Sequence, residues 1–488
     1  MFNAGSVLQN PNVGVVAGLA AATTMAIAPA PPGLSDAGWA VAAIGCLMAI
    51  WWMTEAVPLP VTALIPIVAL PACGVMPIAS VTASYAHPLV FLFLGGFFIA
   101  KAMERWKLHQ RIAVSIMRVA PNSQSGLIAA LMAATAFLSM WISNTAAAMV
   151  MIPIGQSIMH DIEPWASDQS GSAGNSRLDF RAALILGIAF SATIGGMATL
   201  VGTPPNALLA GYLETAQGIK IGFAQWMMLG IPVAIIMLPV TWYLLTRIVS
   251  NIGNNELALR APPVAIELPQ RLSAGARLTA AIICIAGLML IFQPAIAAVS
   301  PWMQLSDAGI AMAAAVLLLI VPSGEPENER LLRWEDAATI RWDVLILVGG
   351  GLALAGAIET SGLSQAISRS FVSLNFLPLM LTVLLAMALI VYIGELASNT
   401  AMAAVFLPVA GAAAVGLGVE PLHLIIPIGL AASLGFMLPV ATPPNAIAYG
   451  TGDVSSGQML RAGALLDVAG ILATFAITQV LVPLLFAR

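Results

Sequence analysis

Charge is what this sequence has least of. Asp, Glu, Lys and Arg make up 8% of its 488 residues, where a soluble domain carries roughly 25%. An apolar content of 60% cannot be hidden in a globular core, because too few polar groups remain to cover it. A water-soluble fold is excluded. Lys and Arg together number 18 and form no basic stripe, so nucleic acid is not a partner. Cysteine is also scarce. Cys46, Cys73 and Cys284 fall in apolar runs without disulfide or metal-ligand spacing and are expected to be small buried hydrophobes. The opening MFNAGSVLQNPN has no Lys or Arg, so it lacks the basic n-region of a signal peptide, and the first apolar run is expected to be a retained helix. There is no Walker A loop, which removes ATP-driven transport by this chain alone. Gly450-Thr451-Gly452-Asp453 fits the GxGD pattern of intramembrane aspartyl proteases, but no Tyr-Asp partner exists to share a proton with it. His87, His109, His160 and His423 are scattered without metal spacing, and structural roles are expected for them.

What the sequence has is a succession of apolar runs, from 13–32 to 458–486, joined by short polar pieces. A spanning helix needs about 20 apolar residues. The fold class is therefore an all-α polytopic membrane protein, with residues 1–488 forming one integral domain. Two runs are odd. The run 126–158 is interrupted by Ser143-Asn144-Thr145, and the run 378–416 by Ser398-Asn399-Thr400. Arms of about 13–18 residues reach only ~20–27 Å, short of the ~30 Å hydrocarbon core. Each run is either one long helix with a polar patch or a re-entrant hairpin. Counting both as hairpins, with eleven spans and a cytoplasmic N-terminus, leaves only Lys220, Arg369 and Arg488 on the outer side and every other Lys and Arg inside. That bias follows the positive-inside rule and favours the hairpins. It also places the C-terminus outside.

The interrupted runs are copies of one another. Ser143 and Ser398 are 255 residues apart, and the same spacing relates Gly95-Gly96 to Gly350-Gly351, Glu104 to Glu359, Gln110 to Gln365 and Pro153 to Pro408. Further on, Thr203-Pro204-Pro205-Asn206 matches Thr442-Pro443-Pro444-Asn445 at a spacing of 239. The difference of 16 fits an insertion in the polar stretch 161–181 of the first copy. The helix at 84–103 runs inward and its partner at 342–358 outward, so the halves, about 35–250 and 274–488, form an inverted repeat of the kind found in secondary transporters. The segment LSDAG at Leu34–Gly38 and Leu305–Gly309 recurs at a different spacing and is read as coincidence.

Irregular backbone at membrane depth must face protein or a water-filled cavity. A hairpin tip exposes carbonyls at the end of one half-helix, which favour a cation, and amides at the start of the next, which favour an anion. In TPPN, two prolines end a helix, and proline also suits the first position of a new one. Thr203 and Thr442 would be the caps, with Gly202 and Ala441 leaving carbonyls open to a ligand. Two tips and two breaks supply four helix N-termini to one midplane site, suited to an anion of more than one negative charge with small cations. Glu395, beside the second tip, is either functional or orients the hairpin. Glu55 is expected to cap a proline-rich helix start.

On these motifs, and on Trp52-Met53-Thr54-Glu55-Ala56-Val57-Pro58, the chain resembles the divalent anion/sodium symporter family over nearly its whole length. The resemblance implies a homodimer in the plasma membrane, a scaffold and a moving transport part, elevator-type alternating access, and Na+-coupled uptake of di- or tricarboxylates or, in some members, sulfate. It implies substrate contacts at Ser143, Asn144, Thr145, Thr203, Ser398, Asn399, Thr400, Thr442 and Pro443. It implies one sodium site at Ser139, Ser143, Asn144 and Gly202, and a second at Gly394, Ala397, Asn399 and Ala441. Gly394 departs from the Thr that many relatives carry, so the second site lacks the hydroxyl that Ser139 gives the first. A C4 dicarboxylate such as succinate is the expected anion, one carboxylate per tip. A sodium-independent exchanger, a proton-coupled carrier and a sulfate carrier of the same fold are the alternatives. Lys101–Arg118 and Leu363–Ser373 are expected to be interfacial helices cradling the moving part.

Overall fold

A computed structural model describes residues 11–118, 123–166, 173–250, 252, 271–300, 302, 304–325, 328–372 and 378–486. Arg260, Ser373 and Arg488, and the side chains of His160 and Arg177, lie outside the described residues. Counting Leu59–Ala72 and Ile78–Arg105 each as one stretch, eight described helical stretches are long and apolar enough to cross a membrane, and six more apolar ones are only 10–17 residues long. Large side chains such as Met149, Ile235, Leu288 and Phe292 are exposed on the surface, an arrangement that suits lipid rather than water.

The first half begins with α1 (Pro11–Ile27) and α2 (Asp36–Thr54), which pack together. The run 59–78, read from sequence as one element, is instead two short helices, α3 (Leu59–Thr62) and α4 (Ile65–Ala72). Pro60 and Pro66 sit at the helix starts and Pro71 lies inside α4, so proline divides the run. Then come α5 (Ile78–Tyr85), α6 (Pro88–Arg105), α7 (Leu108–Met117), and the arms α8 (Gln124–Ser139) and α9 (Asn144–Ala166) of the first interrupted run. At 23 residues α9 exceeds the arm length expected from sequence. Next are α10 (Ala173–Met197) and α11 (Pro204–Gln217), separated by the first break, and α12 (Phe223–Tyr243), which continues as a π-helical turn over Leu244–Val249.

The second half holds α13 (Ala274–Val299) and α14 (Asp307–Ile320). A strap follows: β1 (Pro322–Glu325) pairs antiparallel with β2 (Asn328–Arg330), and α15 (Trp334–Ala337) comes next. This small ladder corrects the all-α reading. It forms where polar residues outside the apolar runs let the backbone pair locally. Then come α16 (Trp342–Thr360), α17 (Leu363–Phe371), the arms α18 (Leu379–Gly394) and α19 (Asn399–Gly416), then α20 (Leu422–Ala431), α21 (Pro443–Gly450) and α22 (Ser456–Phe486).

One sequence reading needs revision here, and one recurrence gains a local explanation. Cys73 and Cys284 are exposed, and Cys46 is only half-buried, because each lies on the outer surface of its helix or turn rather than in the core. The LSDAG recurrence has a local cause: Ser35 accepts from Gly38 N and Ser306 from Gly309 N, at 3.0 and 3.1 Å, so both segments solve the same capping problem. Between the halves, the rings of Phe190 and Phe436 meet edge-on with centroids 5.2 Å apart.

Candidate functional site

The two interrupted runs break at their tips. Helix α8 ends at Ser139 and α9 starts at Asn144, and Ser143 Oγ accepts from Ala146 N at 3.2 Å. Helix α18 ends at Gly394 and α19 starts at Asn399 with Ser398 as its cap residue. The TPPN segments also end and restart helices. Pro204 and Pro443 are the first helical residues, preceded by Thr203 and Thr442 in extended conformation. Thr442 Oγ1 accepts from Asn445 N, while Thr203 makes no side-chain cap bond.

All four irregular segments line one cavity of about 460 Å³. Ser143, Asn144, Thr145, Thr203, Ser398, Asn399, Thr400, Thr442 and Pro443 face it, as do Gly202 and Ala441. Ser139, Gly394 and Ala397 do not; they are buried below its surface. Glu55, Leu59, Phe93, Phe97, Arg341 and Asp343 line the same cavity. Glu55 corrects an expectation: it ends α2 in a left-handed conformation, φ 48°, instead of starting a helix.

Each break is braced by the asparagine of its TPPN, a role that sequence reasoning missed. Asn206 Nδ2 donates to the carbonyls of Gly196, Met197 and Thr199 at 3.1, 3.4 and 2.8 Å. Asn445 Nδ2 donates to those of Gly435 and Leu438 at 3.2 and 3.1 Å. Gly435 and Leu438 are the residues that the 239 spacing assigns to Gly196 and Thr199. The signal was in the sequence, since a side-chain amide in the first turn after a helix break carries donors that the break's open carbonyls need.

Around the first tip, oxygens converge. Ser139 Oγ lies 2.7 Å from Asn144 Oδ1 and 2.6 Å from the Ala192 carbonyl. With its amide turned the other way, Asn144 donates to Ser139 Oγ, Ala192 O and Gly202 O at 2.7, 3.1 and 3.3 Å. One orientation gives hydrogen bonds, and the other gives four oxygens suited to a small hard cation. Gly196 lets the amide in: a Cβ there would stand 2.9 Å from Asn144 Cγ. Around the second tip, Asn399 Nδ2 donates to Ser433 O at 3.3 Å, while its Oδ1 has no partner among the described residues.

Glu395 is 2% exposed and accepts three backbone amides of the second break, Phe436 N, Met437 N and Leu438 N, at 2.7, 2.9 and 2.8 Å. Asp467 of α22 is fully buried beside Glu395. Asp453 of the GxGD segment accepts from Gln156 at 3.0 Å and pairs with Arg181 at 3.4 Å, tying α9 and α10 to the turn after α21. His87 caps α6, His109 faces the Met103 carbonyl and His423 pairs with Glu420. In the strap that precedes Arg341, Asp336 pairs with Arg105. Burial pushes the Asp336 carboxyl up, but the Arg333 hydrogen bond and the Arg105 and Arg333 charges outweigh it and hold it below the ordinary range.

A family profile described as "Sodium:sulfate symporter transmembrane region" matches residues 9–487. The chain is 36% identical over 459 residues to a protein of Staphylococcus saprophyticus named sodium-dependent dicarboxylate transporter SdcS, covering 93% of this chain and 88% of that one. It is equally identical, over 463 residues, to the SdcS of Staphylococcus aureus strain USA300, with the same coverage. Among solved structures it resembles the YdaH transporter of Alcanivorax borkumensis, with a TM-score of 0.56, 15% identity and coverage of 83% and 87% of the two chains. The Neisseria gonorrhoeae MtrF structure aligns with a TM-score of 0.54 at 13% identity, over 82% and 83%. At those identities the likeness is one of fold.

Proposed function

Because this chain belongs to the sodium:sulfate symporter transmembrane family, we propose that it carries a small dicarboxylate across the plasma membrane together with sodium ions. The observation that carries this reading is the cavity in which both tips and both breaks meet. Its helix N-termini and hydroxyls suit carboxylates. The charged side chains that line it are Glu55, Asp343 and Arg341, one cation against two anions. A dianion entering alone meets net repulsion, and cations at the oxygen clusters remove it. Sodium-dependent dicarboxylate transport is also what the SdcS relatives are named for.

The finer reading is as follows. Eleven spans and two re-entrant hairpins, about 126–158 and 378–416, sit in inverted halves, with the N-terminus inside and the C-terminus outside. Ser143, Asn144, Thr145 and Thr203 bind one carboxylate of a succinate-like anion, and Ser398, Asn399, Thr400, Thr442 and Pro443 the other. Ser139, Ser143, Asn144 and Gly202 bind one sodium ion; Gly394, Ala397, Asn399 and Ala441 bind a second. Two protomers form a fixed scaffold beside which the tips and breaks move as an elevator.

Purified protein in proteoliposomes tests the reading. Labelled succinate should enter when a sodium gradient is imposed and not with potassium in its place. Uptake of sulfate without succinate would overturn the substrate, and equal uptake in potassium would overturn the coupling.

A further inference from the structure

Arg341 is the one cationic side chain lining the cavity among the described residues. It shares the cavity with both tips, and Asp343 lies beside it. Its guanidinium holds that carboxylate by both edges, Nε to Oδ1 at 2.9 Å and Nη2 to Oδ2 at 2.8 Å. The two side chains are 47% and 43% exposed, so the pair is wet and exchangeable rather than locked.

We propose that Arg341 selects for divalent anions, releasing Asp343 to take a carboxylate of the substrate as it enters or leaves. This rests on the transport reading above and names the group that sets charge selectivity within it.

Three observations carry it. A guanidinium fork matches a carboxylate in two parallel hydrogen bonds, so substrate and Asp343 compete for one partner of the same geometry. The base of Arg341 is fixed while its side chain is exposed. The preceding strap is pinned to α6 by the Arg105–Asp336 pair and the Trp106–Leu331 hydrogen bond of 2.8 Å, and Trp342 Nε1 donates to Ala338 O at 3.1 Å. The pair also has no counterpart in the other half: the 255 spacing leads from Arg341 and Asp343 to Ala86 and Pro88. It is an addition to one wall, not a requirement of the repeat.

Asp343 then acts as a threshold. In transit, a monocarboxylate held at one tip has no second group with which to displace it. A dicarboxylate has one until its second carboxylate reaches the other tip, and it gains a charge-assisted pair on the way.

The test is sodium-driven succinate uptake in proteoliposomes, with butyrate as the competing monoanion of equal length. Arg341→Gln should raise the succinate KM about tenfold and narrow the preference for succinate over butyrate by a similar factor. Asp343→Asn should lower the succinate KM, because the fork is freed. The double variant should follow Arg341→Gln, since Asp343 acts through Arg341. An unchanged KM and preference in Arg341→Gln overturns the selector. So does Asp343→Asn raising KM as Arg341→Gln does, which is the behaviour of a merely structural pair, and this arm decides the matter even where Arg341→Gln fails to fold. Wild-type protein without sodium-driven succinate uptake overturns the transport reading itself, a result distinct from either.

Discussion

The first tip and break are joined by neutral groups, the second by a charge. In the first, Thr199 Oγ1 donates to the Met140 carbonyl at 2.6 Å. In the second, the equivalent positions are Leu438 and Glu395, and here Leu438 N donates to the Glu395 carboxylate at 2.8 Å. The same two places are bridged in both halves, but the side chain comes from the break in one and from the tip in the other. The local contacts differ in tightness as well. Gly196 leaves no room beside Asn144, whereas a Cβ on Gly435 would be 3.4 Å from Asn399 Oδ1. The backbone requirement is shared, and the chemistry meeting it is not. The first half is a close-packed nest of oxygens. The second is a looser one, held by a carboxylate behind it.

Removing the carboxylate should break this comparison most severely. Glu395→Ala leaves one buried and two half-buried amides without their acceptor, at about 1–3 kcal/mol for the buried one and less for the others. Loss of transport and a fall in Tm in detergent are expected; wild-type values for both would mean the second break stands without Glu395. The braces come next. Asn206→Ala loses three hydrogen bonds and Asn445→Ala two, so the first should unfold more easily, by about 1 kcal/mol. Chemical denaturation of both variants measures the difference, and the reverse order would contradict the bracing geometry.

Smaller effects concern the cations. Ser139→Ala removes one oxygen from the first cluster, and a loss of about 0.5–1.5 kcal/mol weakens apparent sodium affinity roughly two- to tenfold. Sodium titration of succinate uptake reads it, and a wild-type titration would falsify the placing of that site. The smallest expected change is a gain. A Cβ at Gly394 meets Met402 Cγ at 3.7 Å and Asn399 Oδ1 at 3.9 Å, ordinary contacts. Gly394→Thr therefore fits and should raise sodium affinity or leave it unchanged, while Gly394→Ala separates helix stiffening, worth up to ~1 kcal/mol, from the added oxygen. A fall in affinity confined to Gly394→Thr would show that the hydroxyl crowds the site.

Much of this was legible because it depends on local chemistry. The prolines of Thr-Pro-Pro-Asn end and restart a helix, so those breaks could be located from residue types alone, whereas Ser-Asn-Thr left a long helix or a hairpin open until the charge count and the repeat were added. The division of 59–78 was equally visible in Pro60, Pro66 and Pro71 and was passed over because the run's apolar character dominated the reading. The charged lining was out of reach. Glu55 ends α2 while Arg341 and Asp343 begin α16, and no periodicity says that they share a cavity with the tips. The exposure of Cys73 and Cys284 was misread for a different reason: in lipid an apolar residue can face outward at no cost, so burial no longer follows from hydrophobicity.

The asparagine braces also act as rulers. Each one reaches back ten residues, to Gly196 or Gly435, and seven residues, to Thr199 or Leu438. One inserted residue between those points would carry the amide past its carbonyls in either copy. Tolerance to insertion is thus close to nothing inside the breaks of either copy.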